Sequence, residues 1–222
     1  MQNGLVLVFD LDQTLIDSRG MIAEKNNDWK TIEAYIEKSL NKRLVDEILK
    51  PAIELRRSGK VSAIILLTNN LIETYIDCVE YYIGRYLNIL PESVFDYMMR
   101  RNDPMRSPSF NPPKRLMDVE NILNKLKKPI INLEKQTFMF DDSDRHTIKH
   151  DLAHNGCPSH YIQVIGPMDY YLPSYGCLNS GFIAGKEDLT DYSVVLKAMS
   201  DEVDVEETIP SILSCINEIM IL

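Results

Sequence analysis

No apolar run in this chain approaches the ~20 residues that a membrane-spanning helix needs, so insertion into a bilayer is not expected. The first hydrophobic stretch is cut almost at once by Asp10 and Asp12, and no basic segment precedes a long apolar core, as it would in a secretory leader. Cysteine is also sparse. Cys78, Cys157, Cys177 and Cys215 show no C-x-x-C spacing, and a chain of 222 residues can fold around an apolar core without disulfides. Reduced thiols and a cytoplasmic location are the expectation. Basic residues are outnumbered, 24 Lys and Arg against 33 Asp and Glu, and the net charge of -9 makes the long-range field repulsive to phosphate backbones. Broad nucleic-acid binding is therefore not expected. The local basic group Lys125, Lys127 and Lys128 reads as a solvated helix end. Internal repeats, low-complexity tracts and a clean linker are missing, which predicts one domain over 1–222.

What is present alternates between two patterns. Leu5 to Phe9 is a short unbroken apolar run, fitting a strand buried on both faces. Ile32, Tyr35, Ile36 and Leu40 then recur at helical spacing, followed by a second amphipathic run through Leu44, Ile48 and Ile53, which Pro51 is expected to kink or divide. Ser58-Gly59 closes that helix, and Val61 to Leu67 is a second buried-strand signature. A helix is predicted over Leu71 to Leu90, a strand over Val94 to Met99 and a proline-rich loop over Arg101 to Pro113. The Pro112-Pro113 pair opens a helix carrying Leu116, Val119, Ile122 and Leu123. Phe138 to Phe140 is the third clear strand, with a further strand at Tyr161 to Ile165 and helices at Tyr192 to Met199 and Ile209 to Leu222. Strands alternating with helices predict an α/β fold with a doubly wound, mostly parallel sheet. In such sheets the ligand site lies beyond the carboxyl ends of the strands.

Three of these strands end in residues suited to phosphate chemistry. The first delivers Asp10-Leu11-Asp12-Gln13-Thr14, the second Thr68-Asn69, the third Asp141-Asp142. One carboxylate can attack phosphorus and another can act as acid and base, provided a cation offsets the repulsion between nucleophile and phosphate. Mg²⁺, a hard ion favouring oxygen, is assigned that role, with Asp10, Asp142 and the backbone carbonyl of Asp12 as candidate ligands. The Thr68 hydroxyl and an adjacent backbone N–H at Asn69 can bind a phosphoryl oxygen, and Lys114 can add positive charge. Read singly, Thr68-Asn69 is an ordinary turn and Lys114 a solvated lysine; the order of all four motifs gives them meaning.

That order, Asp10-Leu11-Asp12-Gln13-Thr14, Thr68-Asn69, Lys114 and Asp141-Asp142, resembles the haloacid dehalogenase-like superfamily of phosphatases over Leu5 to Asp144. The resemblance implies a Rossmann-like core with at most a small helical cap. It implies Asp10 as nucleophile and metal ligand, Asp12 as general acid and base, Thr68 as phosphate ligand and Lys114 as charge stabiliser. Asp142 is implied as a metal ligand supported by Asp141, giving Asp10, Asp12, Asp142 and Asp141 as the candidate metal set. The general acid at Asp12 favours phosphoryl transfer over dehalogenation, since a departing halide needs no proton. Gln13 departs from the Gly that many small-molecule phosphatases of the superfamily carry there, and Arg100, Arg101 and Arg115 are alternatives to Lys114.

The segment 18–42 is the candidate small cap or flap, with Trp29 read as a packing residue. A small cap predicts an accessible cleft and hence a macromolecular or extended phosphate ester, within a partner class of phosphorylated small molecules or phosphoproteins. Asp10 to Leu15 and Asp141 to Ser143 are also similar to the phosphatases of the RNA polymerase II carboxy-terminal domain. Two other readings stand beside the hydrolase: an inactive binding module on the same fold, and a two-metal or nucleotidyl-transfer enzyme drawing on His146, His150, His154 and His160, the first three of which share a face if that stretch is helical.

Overall fold

Leu5–Phe9 (β1) is apolar at every position because both faces of the strand are covered. Leu5, Leu7 and Phe9 point into one core and Val6 and Val8 into another, as the two-residue period of a strand requires. A computed structural model of the chain describes residues 4–18, 28–106, 112–130, 132–143, 148, 160–164 and 190–200. The strands β1, Val61–Leu67 (β2), Tyr97–Met99 (β3), Thr137–Asp141 (β4) and Tyr161–Gln163 (β5) form one sheet in the order β3-β2-β1-β4-β5. All four pairings are parallel, so the sheet is more uniform than the mostly parallel one expected. The order reverses between β1 and β4, a Rossmann-like arrangement that opens a crevice at their carboxyl ends.

Helices cover both faces, which makes the sheet doubly wound. Trp29–Ser39 (α1), Lys50–Arg57 (α3), Glu73–Leu87 (α4) and Ser193–Ser200 (α7) bury their apolar stripes on the Leu7 and Phe9 side. Leu116–Lys125 (α5) covers Val6 and Val8 with Val119, Ile122 and Leu123. Lys42–Leu44 (α2) precedes α3, and Leu133–Gln136 (α6) leads into β4. From the 18–42 segment, α1 is described, and its Ile32 and Ile36 join the main core. Trp29 is 39% exposed and packs edge-on against Tyr81, so it contributes less to packing than expected.

Several boundaries differ from the sequence pattern. Pro51 does not divide its helix. The chain between α2 and α3 widens into a π-helical turn, Val45–Leu49, where the Lys50 N–H reaches back to the Val45 carbonyl. Pro51, which has no N–H to donate, follows that turn, and the apolar stripe stays continuous. The strand expected from Val94 pairs only over Tyr97–Met99, because Pro91–Ser93 forms a 3₁₀ turn and Val94 and Phe95 are spent on core packing. Helix α4 stops at Leu87 with Asn88 in the left-handed region. A Cβ on Gly84 would lie 2.7 Å from the Pro91 Cα, so glycine is what lets this turn fold back onto α4. Cys78 is buried, whereas Cys157, Cys177, Cys215, His146, His150, His154, Asp144 and the helix expected at Ile209 to Leu222 lie outside the described residues. Lys125 does more than end a solvated helix, since its ammonium donates to the Tyr97 hydroxyl at 2.8 Å.

Burial on the flank of α4 pushes the Glu80 carboxyl up from 4.5 to about 7, with Asp77 and Glu92 adding to the rise. A folded-state value above the unfolded one means that stability present below pH 4.5 is lost as pH climbs through about 7. Glu80→Gln is expected to raise unfolding free energy by about 1–2 kcal/mol near pH 8, allowing for solvent screening, and by little near pH 4. Urea unfolding at the two pH values checks this; an equal gain at both would refute it.

Candidate active site

The tip of β1 turns into a tight loop because three backbone bonds pin it. The Leu15 and Ile16 N–H groups both donate to the Leu11 carbonyl at 3.0 Å, and Gln13 N–H donates to Ile16 O at 2.7 Å. Gln13 adopts φ 66, the left-handed region that glycine enters at least cost, which explains why its position suits Gly. Its side chain donates to Ser18 Oγ at 3.0 Å, partly offsetting the strain. Asn41 braces the loop from behind, donating through Nδ2 to Thr14 O at 3.1 Å. The Asp10 N–H donates to Phe140 O at 2.9 Å, which locks the end of β1 to the end of β4.

At that junction Asp10, Asp141 and Asp142 gather, with one carboxylate oxygen from each lying within 4.8 Å of the others. Lys114 joins them from the segment before α5. It is 1% exposed, and its Nζ lies 2.5 Å from Asp10 Oδ1 and 2.5 Å from Asp141 Oδ2. Asp141 also accepts from the Ser143 N–H at 2.8 Å. Burial pulls the Lys114 ammonium down, but Asp10 and Asp141 together outweigh it and hold the charge on. Burial pushes the Asp10 carboxyl well up, against Lys114, and Asp141 and Asp12 add to the rise. These two directions pull against each other within one contact. The charged Lys114 is the firmer, resting on two direct contacts, and the rise at Asp10 comes first from burial and then from Asp141 and Asp12. Burial and then Asp141 likewise push Asp142 up to about 6. The cluster thus carries more negative charge than Lys114 offsets, and either protons or a further cation must balance it. The three residues can hold a metal through oxygen alone, a donor set suited to a hard divalent ion.

Asp12 and Thr68 stand one step away. The Asp12 carboxylate is outside the three-acid cluster and is engaged instead by Asn70, whose Nδ2 donates to its oxygens at 3.0 and 3.3 Å. Thr68, fully buried beyond β2, accepts the Asn70 N–H on Oγ1 at 3.0 Å. The Asn69 side chain is held away by Arg106, whose Nη1 donates to Asn69 Oδ1 at 2.8 Å and to Thr68 O at 3.0 Å. Arg106 also donates to Pro112 O at 3.1 Å, so it ties the phosphate-suited turn to the segment carrying Lys114.

Two of the alternatives to Lys114 are engaged elsewhere: Arg100 pairs with Glu73 and Asp77 on α4, and Arg115 sits at the N-cap of α5. Arg106 and Asn70 are the residues that sequence reasoning missed. Asn70 could have been found as the third member of Thr-Asn-Asn, a turn-forming cluster, whereas Arg106 lies in a loop with no periodicity to mark it. Among family models none matches this chain, and no curated protein matches it significantly.

Proposed function

We propose that this protein is a Mg²⁺-dependent phosphomonoester hydrolase of the haloacid dehalogenase-like kind, working through a phosphoryl group carried on Asp10. The observation that carries this reading is the meeting of Asp10, Lys114, Asp141 and Asp142 at the reversal point of a parallel sheet. A structural ion pair would need one acid for Lys114; here its buried ammonium touches two, and a third, Asp142, lies against them, a costly arrangement that calls for a positively charged partner.

In the proposed reaction the Asp10 carboxylate attacks phosphorus in line with the leaving oxygen, and the ester P–O bond breaks as the Asp10–P bond forms. The departing oxygen takes a proton from Asp12. Water then attacks the phosphorus, giving its proton to Asp12, and inorganic phosphate leaves as the Asp10 carboxylate is regenerated. Lys114 orients Asp10 and opposes the rise that burial imposes on its carboxyl, and the Thr68 hydroxyl can donate to a phosphoryl oxygen. Asp10, Asp142 and the Asp12 carbonyl would hold Mg²⁺, which would supply the positive charge that lets an anionic nucleophile approach an anionic ester. Asp141 then acts behind this set, bound to Lys114 and to the Ser143 N–H.

Hydrolysis of p-nitrophenyl phosphate that requires Mg²⁺ and stops with a chelator is the direct test; no turnover of any phosphomonoester would overturn the proposal. A melting experiment checks the metal separately. The Asp142 value is raised in the folded state, so its stabilising contribution is lost as pH rises from 3.8 through about 6. In EDTA at pH 7.5, Asp142→Asn is therefore expected to melt at or above the wild type. It is also expected to lose most of the Mg²⁺-induced rise in melting temperature that the wild type shows.

A further inference from the structure

We infer that Asn70 is a positioning residue that holds Asp12 and Thr68 in one frame, so that the acid and the phosphate ligand act on the same substrate; this rests on the hydrolase reading above. The amide of Asn70 has only one orientation open to it. Its Oδ1 accepts the Ile72 N–H at 2.8 Å, which demands an oxygen there, so Nδ2 must be the group facing Asp12. That Nδ2 spans both Asp12 oxygens, at 3.0 and 3.3 Å, and removes the free rotation of a carboxylate at the end of a loop. The backbone N–H of the same residue donates to Thr68 Oγ1 at 3.0 Å. A hydroxyl that accepts from one side offers its own proton to the other, so Asn70 also sets the direction in which Thr68 can donate.

A second feature of the same segment points to Asp12. Tyr75, in the first turn of α4, is 1% exposed, and its hydroxyl has no hydrogen-bond partner among the described residues. Burial and then the charge of Asp12 push its phenol up, so it stays neutral as a donor in the field of that carboxylate. Asn70 is the direct link between this segment, beyond β2, and Asp12, beyond the neighbouring β1.

The chemistry of general acid catalysis supplies a test. An acid held out of line costs most when the leaving oxygen is strongly basic and least when it departs readily as an anion. Phenyl, p-nitrophenyl and dinitrophenyl phosphate share an aryl ester framework and differ chiefly in this basicity. Asn70→Ala and Asn70→Asp are compared with wild type by kcat/KM in Mg²⁺, a quantity that reports the steps through ester cleavage. Asn70→Asp keeps an oxygen for the Ile72 N–H and so keeps the turn, while losing the donor to Asp12.

Asn70→Ala is expected to lose about 100-fold with phenyl phosphate and only about 3-fold with dinitrophenyl phosphate, and Asn70→Asp to show the same ratio between esters on top of a charge penalty equal for all three. Equal losses across the three esters, or wild-type activity in Asn70→Asp, would overturn the positioning role and leave Asn70 as a turn residue. An inactive wild type, or an Asp10→Asn variant as active as wild type, would instead overturn the hydrolase reading and this inference with it. Melting curves of both variants establish that the losses are not unfolding.

Discussion

Asp10→Asn is expected to lower kcat/KM for p-nitrophenyl phosphate by about 10³-fold or more while leaving the melting temperature at pH 7 unchanged or higher. The two halves of this result have different causes. Loss of activity follows because a carboxamide oxygen does not form a productive bond to phosphorus, and no other carboxylate occupies the same place. Asp142 is partly exposed and Asp141 is bound by Lys114 and the Ser143 N–H. Retained stability follows from the charge balance. Burial raises the folded-state value of Asp10 above 3.8, so the stability it contributes at low pH is lost as pH rises through that raised value. Above that raised value the ionised group opposes folding, and an amide of the same shape removes that opposition while still accepting from Lys114. Hydrolysis assays and thermal melts on one preparation separate the two effects. Activity retained in Asp10→Asn would remove this residue as the nucleophile.

Lys114→Met carries the largest expected loss of stability, about 3–5 kcal/mol near pH 8. Methionine fills much of the same space, so packing is a minor part of the change. The major part is that Asp10 and Asp141 lose the one ammonium that touches both, in a place where Lys114 itself is 1% exposed and Asp141 fully buried. With its counter-charge removed, Asp10 is pushed further in the direction burial already takes it. The sign of the pH dependence follows: stability is greatest at low pH, where the acid is protonated, and falls as pH rises. Lys114→Met is accordingly expected to lose less near pH 5 than near pH 8. Adding Asp10→Asn to Lys114→Met is expected to restore about 1–3 kcal/mol, because the two residues are in direct contact and their effects are not additive. Urea unfolding of the single and double variants checks both statements. A pH-independent loss, or strict additivity, would mean that the ammonium acts through packing alone.

Much of this arrangement was legible before any coordinates. Leu5 to Phe9, Val61 to Leu67 and Phe138 to Phe140 are continuous apolar runs, and each lies within or coincides with a fully paired strand of the sheet. Uninterrupted burial leaves the chain little choice, because a strand with helices on both sides is the only short element that hides every side chain. Boundaries were less legible where packing competed with pairing. Val94 and Phe95 read as strand but serve the core without joining the ladder, since the Asp96 carboxylate takes the Ile64 N–H of β2 and the pairing starts only at Tyr97. Pro51 read as a break, yet the preceding turn widened and kept its stripe intact because the core against β1 gains more from continuity than the backbone loses.

The tips of the strands show the same division. That Asp10, Asp12, Thr68, Asp141 and Asp142 stand at strand ends was written into the sequence, since an apolar run followed by an acid places the run inside and the acid at its edge. Which of them would meet was decided only by the tertiary structure. Strand order put β4 beside β1 and so brought Asp141 and Asp142 to Asp10, and the burial of a lone lysine between two carboxylates chose Lys114 over its arginine neighbours. Asn70 and Arg106 acquired their partners in the same way. Periodicity encodes how deeply a residue is buried, whereas its neighbours across the sheet depend on how distant segments pack, and no local pattern carries that information.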